Sequence, residues 1–326
     1  MARKINNSYL LGQSNAPTTG GETLKIRTDG TPVWERVNGT DYVYVAPYYG
    51  ARGIAFPGAS VNVIDYITIQ TTGDATDFGD SVAGSTHGCA ISNSSRGVFT
   101  RGNAGGRTNV IEYITIASTG DSSDFGDISA STEQSGSCYN NLRGVIAIGY
   151  SGSSNNNLEY ITTATTGNAT DFGDMTIARY GMGGLSDGER GLMAGGADVT
   201  IDYITIATTG NSIDFGDLIT AGYYTGGIDN GSRGVFTGMS TGGYNSAYEY
   251  VTIQTTGNAT DFGNATQSRR GKAICGNQTR AVYMGGDTGS TTNVMEYITI
   301  ATTGNATDFG DLTAAREGIS GALSGN

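Results

Sequence analysis

The sequence predicts an all-β chain folded as a six-bladed β-propeller, closed by strands from both ends of the chain in one shared blade, with a short N-terminal extension. Three observations predict this. A stretch of the form Tyr297-Ile-Thr-Ile-Ala-Thr-Thr-Gly-Asn-Ala-Thr-Asp-Phe-Gly-Asp311 occurs six times with small changes. Its opening tyrosine recurs at Tyr66, Tyr113, Tyr160, Tyr203, Tyr250 and Tyr297, with spacings of 47, 47, 43, 47 and 47 residues. A period of ~40–50 residues holding several short strands is that of a propeller blade. Finally, the first unit begins at its second strand near Arg52, while Ala314-Ala-Arg-Glu-Gly-Ile-Ser-Gly-Ala-Leu-Ser-Gly-Asn326 has the pattern of a first strand with nothing after it. One blade is then built from both ends of the chain, which leaves the ring without an open edge.

Composition agrees. Only 15% of residues are charged, glycine reaches 53, and Thr, Ser and Asn are abundant. That is a turn-rich β composition, and disordered chains that share the Gly and Ser lack the regular Ile and Tyr spacing. The formal net charge of −12 is spread through the repeats. A diffuse negative field repels nucleic acid and anionic lipid, so neither is expected as a partner. Met1-Ala-Arg-Lys-Ile-Asn-Asn-Ser8 carries basic residues with no apolar run behind them. No signal peptide or transmembrane run is visible, which predicts synthesis in a cytoplasm and no membrane insertion.

Taken in order, residues 1–50 lack the repeat and are read as an extension or attachment segment, and 51–326 as the propeller. Within the extension, 15–21 looks like a linker, and Leu24-Lys-Ile-Arg-Thr-Asp-Gly-Thr-Pro-Val-Trp34 reads as two strands about an Asp29-Gly30 turn. Each blade then has four strands. The first is a Gly, Ala, Ser and Cys-rich run suited to crowding at the axis. The second opens with Arg52, Arg96, Arg143, Arg190, Arg233 or Arg280. The third is the acidic-Tyr-Ile-Thr-Ile run, alternating as a half-buried strand requires. The fourth carries Asp-Phe-Gly-Asp after a tight Thr-Thr-Gly-Asn turn. Cys89, Cys138 and Cys275 fall at similar places in three different first strands, which reads as small buried residues and not a disulfide framework.

Little in this text points to catalysis. Six copies of Asp-Phe-Gly without a Gly-rich loop or catalytic-loop signature are no kinase motif. Their Phe is expected to fill the space between blades and their Gly to let backbones approach. The oxygen-bearing residues of Asn305-Ala-Thr-Asp-Phe-Gly-Asp311 do not have the spacing of a calcium loop, so neither metal nor cofactor is predicted. His87 is the single histidine, which excludes a multi-histidine centre, and Ser85-Thr-His-Gly-Cys89 matches no nucleophile motif. The separation of the many carboxylates is not readable from sequence. The chain is therefore read as non-enzymatic. The repeated Arg and the Asp opening the fourth strand (Asp77, Asp124, Asp171, Asp214, Asp261, Asp308) lie on one side of the propeller, about 10 Å apart. That placement predicts an Arg–Asp contact in each blade.

The order of small-residue strand, glycine pair, acidic-Tyr strand, aromatic fourth strand and Ala-Arg resembles the kelch repeat over residues 51–326. Ala178-Arg179 and Ala315-Arg316 sit where that family tends to carry Arg. It departs from the family in having Phe78, Phe125, Phe172, Phe215, Phe262 and Phe309 where Trp is usual. The repeat text is also similar to repeats in virion and tail-fibre proteins of marine tailed phages, cyanophages especially, and Leu24 to Trp34 is similar to their lead-in. This resemblance implies a virion protein made in a host cytoplasm and joined to other tail proteins through residues 1–50.

Comparing the repeats with one another places the variable face. The turn between third and fourth strands hardly changes, whereas the segments from Arg to Tyr run 14, 17, 17, 13, 17 and 17 residues. The two short ones fall in opposite blades, which predicts a shallow groove over them. Arg107, Tyr150, Asn155, Asn156, Asn157 and Tyr244 on these loops, with Tyr180, Tyr223, Tyr224, Arg269 and Arg270 on the fourth-to-first loops, are the candidate ligand-binding residues. Such residues suit an adaptable surface that stacks on sugars. The leading function is a phage tail or tail-fibre component presenting a host-glycan-binding face. A purely architectural virion protein, or a free carbohydrate-binding or hydrolytic propeller, remains open at this point.

Overall fold

The computed structural model describes residues 51–325 except 60, 94 and 238–242, together with the strands Glu22–Ile26, Pro32–Arg36 and Asp41–Tyr42. The chain divides into two units, Met1–Val45 and Ala46–Asn326. In the first, Glu22–Ile26 and Pro32–Arg36 form the antiparallel hairpin expected, with Leu24 opposite Trp34, and Asp41–Tyr42 adds a third strand the sequence reading did not include. The Asp29-Gly30 turn and the linker at 15–21 lie outside the described residues.

The second unit is a propeller of six four-stranded antiparallel blades, with no helix among its described residues. Blade one takes its inner strand from the end of the chain, Ala322–Gly325, and continues with Arg52–Ala55, Val63–Thr68 and Thr76–Asp80. Leu323 sits opposite Ile54 in that closure. Blade two is Ala90–Ser92, Arg96–Thr100, Thr108–Thr115 and Ser123–Thr132; blade three is Gly136–Tyr139, Arg143–Ala147, Asn155–Thr162 and Thr170–Arg179. Blade four is Met182–Ser186, Arg190–Gly195, Thr200–Thr205 and Ile213–Asp217. Blade five is Gly226–Asp229, Arg233–Thr237, Ala247–Thr252 and Thr260–Asn264; blade six is Ala273–Gly276, Arg280–Met284, Val294–Thr299 and Thr307–Asp311. The six inner strands touch their neighbours all the way round. Hydrophobic side chains gather in six separate wedges, one per seam. Between blades three and four, for instance, Cys138, Val145 and Phe172 meet Met182, Met193 and Ile204. The three cysteines are buried free thiols, as expected, and burial raises Cys89 to about 11.

The seams explain why the repeat hardly varies. Each Thr-Thr-Gly-Asn turn docks on the free edge of the preceding blade's fourth strand. Gly120 N–H donates to the Phe78 carbonyl at 2.7 Å and Ser122 N–H to that of Asp80 at 2.9 Å, and the ring closes with Gly73 N–H on Phe309 and Ala75 N–H on Asp311, both at 2.8 Å. The side chain at the Asn position accepts from the same edge, Asn168 Oδ1 from Asp127 N–H at 3.0 Å and Asp74 Oδ1 from Asp311 N–H at 3.1 Å. A row of backbone groups that would otherwise template association is thereby covered. The glycine of Asp-Phe-Gly is the point of contact: Gly173 has φ of 142°, and a Cβ there would lie 2.5 Å from the Gly210 carbonyl oxygen. Each Phe is 2% exposed and meets its own blade's repeat tyrosine edge-on, as at Tyr160 and Phe172, 6.2 Å apart.

The predicted Arg–Asp contact does not form. The six Asp side chains are exposed, and each Arg instead lies over the repeat tyrosine of its own blade, at 4.1 Å for Arg280 on Tyr297 and 4.6 Å for Arg190 on Tyr203. From there it donates to a backbone carbonyl of the next blade: Arg52 to Ile116 (2.7 Å), Arg143 to Ile206 (3.1 Å), and Arg280 to Ile69 (3.1 Å), which closes the ring. The ring face is the nearer partner, and a half-buried guanidinium gains more over a π-system than from a solvated carboxylate.

The carboxylate that does pair is the one preceding each tyrosine. Asp65, Glu112, Asp202 and Glu296 are almost wholly buried and meet Arg316, Arg101, Arg179 and Arg269 respectively. Arg179, Arg269 and Arg316 reach across a seam from the end of one blade into the next. Glu159 and Glu249 receive Ser129 and the Ile219 N–H instead.

Candidate functional site

Six equivalent positions at the entry to the inner strands ring the upper mouth of the propeller axis: His87, Gln134, Gly181, Tyr224, Gly271 and Gly318. All six have positive φ between 57° and 74°. Backbone bonds stitch them together: His87 N–H to the Gly318 carbonyl (2.7 Å), Gln134 N–H to that of His87 (2.6 Å), and Gly181 N–H to that of Gln134 (2.8 Å). Glycine takes this conformation freely, whereas a side-chain-bearing residue held there costs about 1–2 kcal/mol. Three strained side chains are nevertheless placed at the mouth. His87 and Tyr224 come from opposite blades and their rings approach to 5.3 Å, while Gln134 Nε2 donates to the Tyr224 hydroxyl at 3.2 Å. The inner strands line an axial cavity of about 150 Å³ that includes Ser137, Ser186, Asp229 and Ser324.

From this mouth an aromatic band runs outward over blade four. Tyr224 neighbours Tyr223 (6.5 Å), Tyr223 stacks on Tyr180 (5.0 Å, 24° between planes), and Tyr150 stands edge-on to Tyr180 (5.2 Å). Blade four has one of the two short second-to-third loops. Arg107 ends the band, over Tyr150 at 5.2 Å and 3.8 Å from Glu133. On the other side Arg270 lies 5.4 Å from the Tyr244 ring and 6.0 Å from that of Tyr224, and pairs with Asp287 at 3.0 Å. Tyr244 donates its hydroxyl to the same carboxylate at 3.1 Å.

The charges follow from these contacts. Burial lowers the His87 pKa, Glu133 works against it and Arg270 adds to it, so the imidazole is neutral at neutral pH. Burial favours the neutral acid at Asp287, but bonds from Gly289 N–H, Arg270 and Tyr244 outweigh it and hold the carboxyl below its usual range. The bond between Tyr180 and Tyr223, with burial, raises Tyr180. The mouth thus offers neutral aromatic and hydrogen-bonding groups between two arginines that each have a carboxylate beside them. Among the described residues, no group of three or more His, Cys, Asp and Glu is arranged to hold a metal.

Of the predicted site residues, Arg107, Tyr150, Tyr180, Tyr223, Tyr224, Tyr244 and Arg270 come together here. Arg269 does not: it is wholly buried beneath the face, 2.8 Å from Glu296. Asn155, Asn156 and Asn157 lie in a strand and not a loop, because the third and fourth strands of blade three extend to pair Asn155 with Arg179. Asn155 Oδ1 also accepts from Asn157 N–H at 2.7 Å. Sequence reasoning missed His87, Gln134, Glu133 and Asp287. Alignment of the repeats held the signal for the first two, since glycine at three of six equivalent positions marks a left-handed site. No model of a known protein family matches the chain, and no curated protein matches it significantly.

Proposed function

We propose that this propeller is a non-enzymatic recognition module of a tailed-phage particle, binding a host-surface glycan on its upper face and joining other virion proteins through residues 1–50. The observation that carries the glycan reading is the continuous band of Tyr150, Tyr180, Tyr223 and Tyr224 between Arg107 and Arg270. Aromatic bodies with hydroxyl tips and paired charges suit the apolar faces and hydroxyls of a sugar. The similarity of the repeat text to phage tail-fibre repeats supports the particle, and the cross-seam arginines at Ala178-Arg179 and Ala315-Arg316 support a kelch-like ancestry. One observation favours a purely architectural role: the rings stack on one another and the arginines have carboxylates, so the face is already satisfied within itself.

The test is binding of the purified chain to host-cell envelopes and a glycan array, beside a variant with Tyr150, Tyr223, Tyr224 and Tyr244 changed to Ala. Binding by the wild type and its loss in a folded variant is the expected result. A folded wild type that binds neither would favour the architectural role.

A further inference from the structure

The seam between blades five and six departs from the others. Tyr248 occupies the position held elsewhere by Ile64, Ile111, Leu158, Ile201 and Met295, and Tyr283 that of Ala55, Phe99, Ile146, Met193 and Phe236. The two rings stack at 4.8 Å, 17° from parallel, in the wedge shared by both blades. Above them is Lys272, which follows left-handed Gly271, where the other blades have Gly88, Ser135, Met182, Thr225 and Ile319. Lys272 is the one lysine in the unit Ala46–Asn326 and is 8% exposed.

Its ammonium position is buried and gives a charge two aromatic faces but no hydrogen-bonding partner among the described residues. Nζ lies 5.6 Å from the centre of the Tyr248 ring and 6.0 Å from that of Tyr283, and no described residue hydrogen-bonds to it. Two charged groups act on it, Arg269 and Glu296. The carboxylate is already engaged by Tyr248, by Thr266 and by the Arg269 guanidinium. Oε1 takes the Tyr248 hydroxyl at 2.7 Å and Arg269 at 2.8 Å, and Oε2 takes both the N–H and the hydroxyl of Thr266. Tyr248 and Tyr283, the titratable groups on the two strands facing it, are pushed up by burial and stay neutral.

We propose that Lys272 makes this seam a proton-sensitive joint: the neutral amine closes it, and protonation, which places a second buried cation beside Arg269 with no acceptor, opens it. Burial, with Arg269 adding to it and Glu296 opposing, lowers the amine to about 7 in the closed seam. In an opened seam it returns to about 10.4. The open form therefore binds the extra proton between these values, so the closed seam loses stability as pH falls from about 10 to 7, with no further loss well below 7. Lys272 is two residues from Arg270, so opening would disturb the contacts of Arg270 with Tyr224, Tyr244 and Asp287 on the upper face.

Two measurements on the full chain test it. Lysine side-chain carbon NMR has three residues to report, Lys4, Lys25 and Lys272; the signal that Lys272→Met removes should titrate near neutrality. Three signals titrating above pH 10 would overturn the proposal. Hydrogen exchange, corrected for intrinsic rates, should show opening of Ala247–Thr252 and Ala273–Gly276 rising about tenfold from pH 8 to pH 6 relative to the other five seams. Lys272→Met should abolish that dependence. An equal pH response at all seams, or a dependence that survives the substitution, would reject the joint.

Discussion

The two faces of this propeller are built from the same six repeats and used differently. On the lower face every blade repeats one solution: the Thr-Thr-Gly-Asn turn on its neighbour's edge, and Arg over Tyr reaching the next blade's carbonyl. On the upper face the blades diverge. His87, Gln134 and Tyr224 replace glycine at three of six equivalent left-handed positions, and the buried carboxylates find Arg, Ser or a backbone N–H as partner. A closed ring tolerates variation where a segment does not join two blades. A lower-face contact joins two blades, so a change there misaligns both. An upper-face loop between second and third strands returns to its own blade, so a change in its length stays local.

Substitutions on the two faces should differ in cost. The largest effect is expected from Gly173→Ala, which forces a Cβ against the Gly210 carbonyl at a φ of 142°. Overpacking plus backbone strain should cost about 3–6 kcal/mol in chemical denaturation. A near-neutral result would mean the turn clamp is not what joins the blades. Next, Asp202→Ala leaves Arg179 buried without its carboxylate and should cost about 3–5 kcal/mol, measured by urea midpoint. Arg143→Ala removes a half-buried cation from the Tyr160 ring and from the Ile206 carbonyl, a loss of about 1–2 kcal/mol. At the small end, Asp171→Ala should leave the melting temperature unchanged, because its carboxylate is exposed. A clear drop there would revive the rejected Arg–Asp contact.

The strained mouth offers a finer contrast. Tyr224→Gly relieves a left-handed side chain but loses its contacts with His87 and Gln134. Its stability should shift by no more than about 1 kcal/mol, while binding of any upper-face ligand should weaken.

Much of this was legible in the sequence because it repeats. Period, strand order, the shared closing blade and the burial of Phe78 and its five counterparts all follow from alternation and spacing, which act locally and are read one blade at a time. The tyrosine face was legible too, through the loops that vary between copies. What tertiary structure alone decided are the partners across a seam. The sequence offers each repeated Arg a Tyr, an Asp and a neighbour's carbonyl. Only the docked geometry shows that ring and carbonyl win while the Asp stays in water. Likewise Arg269 and Arg270 are adjacent in sequence, yet one is buried on Glu296 and the other closes on Asp287 at the surface. Both stand in the segment between Thr260–Asn264 and Ala273–Gly276, where no strand period tells inside from outside, and the packing of blade against blade decided which of them was buried.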